Sequence, residues 1–162
     1  MEPTILKIKT MKTLRTLTLA AFVLSTASAF ARIGETREQI DKRYGQGTFS
    51  DYQRLDGAET IKYHFNNFQV EVVFSDGKSV WEIFHRLDRG IDAADARMVM
   101  KANAGEGHTW HSDRLNHRWN RTGSPQLIGY LWPGHEDYFC IEDVKACDAV
   151  QDGEAADLTG GF

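Results

Sequence analysis

The sequence predicts an α+β domain of short helices packed on an antiparallel sheet. Three observations predict it. A capped helix with one apolar stripe opens the folded part, period-two alternation begins at Glu59, and the Asn66-Asn67 and Asp76-Gly77 turns are too short for anything but antiparallel hairpins. The order of helix then strands recurs once downstream, which suggests two helix-plus-meander halves.

The first helix starts at Thr36. Gln39, three residues later, completes a capping box, Glu38 complements the helix dipole in the first turn, and Gly45 stands where the helix should end. Ile40 and Tyr44, four apart, make one apolar stripe. A helix this short is unstable alone, so the stripe must pack on a sheet. From Glu59, Ile61, Tyr63 and Phe65 share one face and Lys62, His64 and Asn66 the other. Phe68, Val70, Val72 and Phe74 line a second strand, and Val80 to Leu87 form a third in which Trp81, Ile83 and Leu87 share a face with His85. Apolar Val80 and Phe84 on the opposite face imply that the sheet is covered there too.

Asp92 caps a second helix that buries Ala96, Val99 and Met100 and ends near Gly105; a polar loop follows. Trp119, Gln126 to Trp132 and Tyr138 to Glu142 read as further strands, the last two joined across Pro133-Gly134. The expected core contains Ile40, Tyr44, Ile61, Tyr63, Phe65, Val70, Val72, Ile83 and Val99. After Cys147 the chain turns to Asp, Glu, Ala and Gly, so residues 148–162 are expected to form a disordered acidic tail, leaving 32–147 as a single domain.

Residues 1–31 read as a signal peptide. Lys12 and Arg15 give a cationic start, Leu17 to Leu24 an apolar run well short of the roughly 20 residues a membrane span needs, and Ala29-Phe30-Ala31 a small-x-small cleavage site. Ala27-Ser28-Ala29 is a second such site, so the mature chain is expected to begin at Arg32 or Phe30. Translation can start at Met1 or Met11. No cysteine stands at either cleavage point to carry a lipid, and a periplasmic or secreted protein without a membrane anchor is expected. Losing four cations and one carboxylate takes the formal net charge from −4 to −7. Nucleic acid and anionic membranes demand a basic surface, so neither is expected as a partner.

Gly34-x-Thr36-x-Glu38-x-Ile40, closing with Tyr44-Gly45, resembles the opening helix of the SmpA/OmlA outer-membrane assembly lipoproteins and of BLIP-like modules. The resemblance implies a helix-plus-antiparallel-sheet module that offers a surface to another protein in the cell envelope. The lipoproteins carry a lipid-bearing cysteine after the signal; this chain has Arg32 there. The shared motif is structural and transfers no binding residue.

His108, His111 and His117 are the candidate metal ligands, since neutral imidazoles suit zinc, nickel or copper. Neither H-E-x-x-H nor a paired-cysteine spacing accompanies them, and a solvated polar loop is the simpler reading. No serine stands in a nucleophile elbow, and Cys140 reads as a strand interior. Glu71 and Glu82 read as solvated strand carboxylates and not as a glycosidase pair. Aromatic residues are the better lead: Trp110, Trp119 and Trp132 are candidate binding residues, because large amphipathic rings are enriched at contacts. Trp110 has only polar neighbours in sequence. The two cysteines, Cys140 and Cys147, are expected to form a disulfide if residues 143–146 turn the chain back. The expected function is therefore an exported, non-catalytic binding or envelope-assembly module with no cofactor. The alternative is a histidine-dependent metal-binding protein or metalloenzyme.

Overall fold

The computed structural model describes residues 32–115 and 117–159, and their side chains except those of 136 and 153–159. The expected signal peptide and its cleavage sites lie outside the described residues. The elements run α1 (Arg37–Tyr44), β1 (Thr48–Phe49), β2 (Glu59–Phe65), β3 (Phe68–Ser75), β4 (Lys78–Arg86), α2 (Ala93–Ala104), β5 (Trp110–Asp113), β6 (Arg118–Arg121), β7 (Leu127–Trp132), β8 (His135–Asp143) and α3 (Val144–Thr159). All eight strands form one antiparallel sheet in the order β1-β2-β3-β4-β8-β7-β6-β5. The fold is α+β. Each of α1 and α2 precedes a four-stranded meander, and the meanders join where β8 pairs with β4.

Both helices start as their sequences dictate. Thr36 and Gln39 exchange the two capping-box hydrogen bonds, and Asp92 and Asp95 do the same for α2. Gly45 ends α1 with φ 88°, a conformation that favours glycine. Ile40 and Tyr44 are buried, and the Tyr63 hydroxyl donates to Asp41 at 2.8 Å, so α1 is fixed to β2 by packing and by one polar contact. Truncating Ile40 to Ala would cost about 2–5 kcal/mol, a large share of a small domain's stability.

The core lies between the two helices and one sheet face, where Ile61, Tyr63, Val70, Val72, Phe84, Phe139 and Ile141 meet Ile40, Tyr44, Ala96, Val99 and Met100. Phe65 is partly buried against this core. Ile83, expected in it, is buried on the opposite face, because strand alternation puts its neighbours Glu82 and Phe84 toward the helices. Gly129 leaves room for two rings: a Cβ there would lie 3.1 Å from Phe139 and 3.6 Å from Trp110.

Two expectations fail at the C-terminal end. The disordered tail expected from residue 148 is, through Thr159, part of α3. Alanines at 146, 149, 155 and 156 favour helix, Asp143 accepts a hydrogen bond from the Ala146 amide, and Ala146, Cys147 and Val150 pack with Leu55, Ala58, Val73, Val80 and Trp81. The disulfide also fails, since both cysteines are free. The segment expected to turn the chain back is instead the first turn of α3, which begins directly where β8 ends. Cys147 packs in the small second core with its Sγ 3.7 Å from the Val80 carbonyl, while Cys140 stays in the strand interior. Among the described residues no helix is long and apolar enough to cross a membrane.

Candidate functional site

On the sheet face turned away from α1 and α2, register fixes three lateral rows. One runs His64, Gln69, His85, Tyr138; the next Lys62, Glu71, Ile83, Cys140, Tyr130, Arg118, Asp113; the third Thr60, Val73, Trp81, Glu142, Ile128, Asn120, His111. Directly paired residues project to the same side of a sheet, so each row is a strip of one surface. The α3 helix and the residue 50–58 loop cover the end near Val73 and Trp81.

Above the middle row stands a layered group of planar side chains. Arg54 reaches down from the loop and donates from Nε to Glu71 at 2.7 Å, a buried carboxylate. Its guanidinium lies 5.4 Å from the Trp132 ring centre and 5.8 Å from that of Tyr52. Trp132 in turn stacks on Trp81 at 5.4 Å and 18°. Beside this stack His85 lies on Tyr138 at 4.6 Å and 15°, and His135 meets Tyr138 edge-on at 5.9 Å. Arg54, Trp132, His135 and Tyr138 line a cleft of about 160 Å³. Stacking fixes each ring before any ligand arrives, so little side-chain entropy is lost on contact.

Among the described residues, the buried groups around the cleft include no activated nucleophile. The Tyr130 hydroxyl donates to Glu142 at 2.8 Å, and burial raises the carboxyl's pKa above its ordinary value. Burial pushes the Cys140 thiol up strongly and the Cys147 thiol up to about 12, so both stay protonated at neutral pH and neither is an activated nucleophile. Glu71 and Glu82 are not the solvated carboxylates their strand positions suggested. Both are buried, on opposite faces of the sheet, so they form no catalytic pair. Glu82 lies under the helices with Asn103 donating to Oε2 at 3.5 Å, while Oε1 has no hydrogen-bond partner. Burial, and next the nearby Glu35, push its pKa up to about 8 against the opposing pull of Asn103 and Arg43.

Of the three candidate tryptophans, only Trp132 belongs to this site. Trp110 is no solvated ring: it packs on the main core, and its Nε1 donates to the Met100 carbonyl at 2.7 Å. The loop expected around it is strand β5, whose alternation turns Trp110 inward and His111 outward. Trp119 packs on the same core, edge-on to Phe139 at 5.9 Å. The candidate histidines are spread along the β5–β6 hairpin. His108 packs over Gly123 at its base, His111 lies in β5 with Nε2 3.2 Å from the Thr109 hydroxyl, and exposed His117 occupies the turn at the far end. Among the described residues no three His, Cys, Asp or Glu side chains gather as a metal site would.

Sequence reasoning placed Trp81, Ile83 and His85 on one face and drew attention to the aromatic rings, Tyr52 among them, but missed Arg54 and His135. His135 stands directly after the Pro133-Gly134 turn, where a signal was available; Arg54 had none, because only the fold lowers its loop onto Glu71. Compared with family models, curated proteins and solved structures, the chain matches none.

Proposed function

We propose that the protein is an exported, non-catalytic module that docks a protein partner of the cell envelope on the sheet face around Trp132. The observation that carries this reading is the cleft of Arg54, Trp132, His135 and Tyr138, bordered by Tyr52, which is 66% exposed. Large rings held rigid by their neighbours yet reachable from solvent are the composition of an interface hot spot, where a few Trp, Tyr and Arg side chains supply most of the binding energy. The inactive state of both buried thiols favours binding over nucleophilic chemistry. Export rests on the N-terminal sequence, and the envelope setting on the resemblance of the Gly34 to Gly45 segment to assembly lipoproteins and BLIP-like modules.

The test is capture from the envelope fraction with the immobilised protein and three variants whose fold is checked by circular dichroism. A discrete partner should be retained by the unaltered protein and by Met98→Ala, on the helix side, and lost with Trp132→Ala and Tyr52→Ala. Retention that is equal on all four would refute the reading.

A further inference from the structure

The histidines are distributed unevenly. Of the six, five border the sheet face that carries the cleft: His64, His85 and His111 through their rows, His135 through its contact with Tyr138, and His117 beside Arg118 and Tyr130. Lys62, Arg54 and Arg118 lie on the same face. Three of its carboxylates are engaged: Glu71 is held by Arg54, Glu142 accepts from Tyr130, and Asp113 lies 3.6 Å from Arg118. Exposed Asp51 and Asp56 belong to the loop that brings Arg54, exposed Arg114 to the β5–β6 turn, and exposed Asp137 lines the groove beside Tyr130. With exposed Asp148, which acts on Glu142 from α3, the face sets four cations against seven carboxylates, so it is net anionic with neutral imidazoles and becomes cationic only when the five imidazoles are protonated.

We propose that the partner of this face is an acidic polypeptide surface, seated by an apolar side chain in the cleft and by flanking carboxylates on the surrounding histidines and cations, and held more tightly as the medium acidifies. The inference rests on the docking reading above and names the partner's chemistry. Charge complementarity with the protonated face selects it. Histidine is the side chain that ordinarily gains its charge between pH 8 and pH 5, so this is the surface on the molecule that acid changes most. Nucleic acid and anionic membrane fit less well, because the acidic remainder of the chain repels an extended polyanion, whereas a compact acidic patch meets only this face. Within the cleft His85 and His135 both touch Tyr138, so protonation there acts directly beside the bound side chain.

The probe is a capped peptide of repeated Glu-Gly-Phe-Glu units, with a second peptide carrying Gln for Glu, each titrated calorimetrically at low salt. The Glu peptide should bind at least about tenfold more tightly at about pH 5.5 than at about pH 8, a gain the Gln peptide lacks. His85→Gln combined with His135→Gln should remove most of that gain and leave the weaker binding at about pH 8. Trp132→Ala should weaken the Glu peptide at both pH values. Equal binding of the two peptides, an affinity that does not rise with acid, or no binding of the Glu peptide at about pH 5.5 would overturn the acidic partner. Those results would leave the capture experiment to judge the docking face by itself. Undiminished binding of the Glu peptide to Trp132→Ala would overturn both.

Discussion

Replacing Glu82 by Gln should stabilise the protein progressively as pH rises. The carboxyl is fully buried beneath the helices, with a single hydrogen bond from Asn103 and one oxygen unpartnered, and its pKa is pushed from 4.5 to about 8, first by burial and then by Glu35. Below its unfolded value the group is protonated in both states and costs nothing in charge. Between 4.5 and about 8 the unfolded chain ionises it while the folded chain keeps the proton, so stability falls as pH rises through this window and levels off above it. At about 1.4 kcal/mol per pH unit, the loss is about 3 kcal/mol by neutral pH and on the order of 5 kcal/mol at its limit. Glutamine keeps the acceptor for Asn103 and cannot ionise. Its extra buried N–H adds a pH-independent offset of about 1–3 kcal/mol, so the informative quantity is the change in the gap between the two proteins. Histidines and Glu142, present in both, cancel from that difference. Urea unfolding followed by tryptophan fluorescence at intervals between about pH 4.5 and pH 8 measures it. A gap that stays constant across this range would refute the account of Glu82 as a buried carboxyl kept neutral by the fold.

Three further outcomes follow from the same geometry. Gly47→Ala should destabilise by about 1–3 kcal/mol in chemical unfolding, because the added Cβ would meet Ile61 and lie 2.6 Å from the Tyr63 ring; an unchanged midpoint would mean that these side chains yield freely. Zinc or nickel should leave the melting temperature unchanged, since His108 and His117 sit at opposite ends of the β5–β6 hairpin; a rise abolished by His108→Ala and His111→Ala would restore the metal reading. N-terminal sequencing of the exported protein should return Arg32 or Phe30, and an intact N-terminus would remove the case for export.

Local chemistry was the legible part of this fold. Thr36 with Gln39 and Asp92 with its first-turn acid mark the helix starts, and the alternation from Ile61 to Phe65 and from Phe68 to Phe74 identifies the strands and the face they bury. What failed depended on long-range packing. The β5 strand escaped because Trp110 to Asp113 is short and its one large residue looked solvated, though its indole is paired to a carbonyl of α2. Residues after Cys147 looked too polar to fold, yet a helix needs only Ala146, Cys147 and Val150 on one side when Trp81 and Val73 await them. The disulfide expectation failed with that helix, which begins where a turn was required. The cleft was half legible: Trp132 was named for its chemistry, but its partners Arg54, His135 and Tyr138 come from a loop and an adjacent strand that only the register brings together.

Site-specific photo-crosslinking in cells that express the full chain tests the docking face most directly. A photoreactive phenylalanine analogue replaces Tyr52 or Tyr138 on the cleft side, or Met98 on the exposed side of α2. The docking account predicts one discrete protein adduct from both cleft-side positions, lost when Trp132→Ala is added, and none from position 98. Adducts of equal yield from all three positions, or an adduct from position 98 alone, would contradict it.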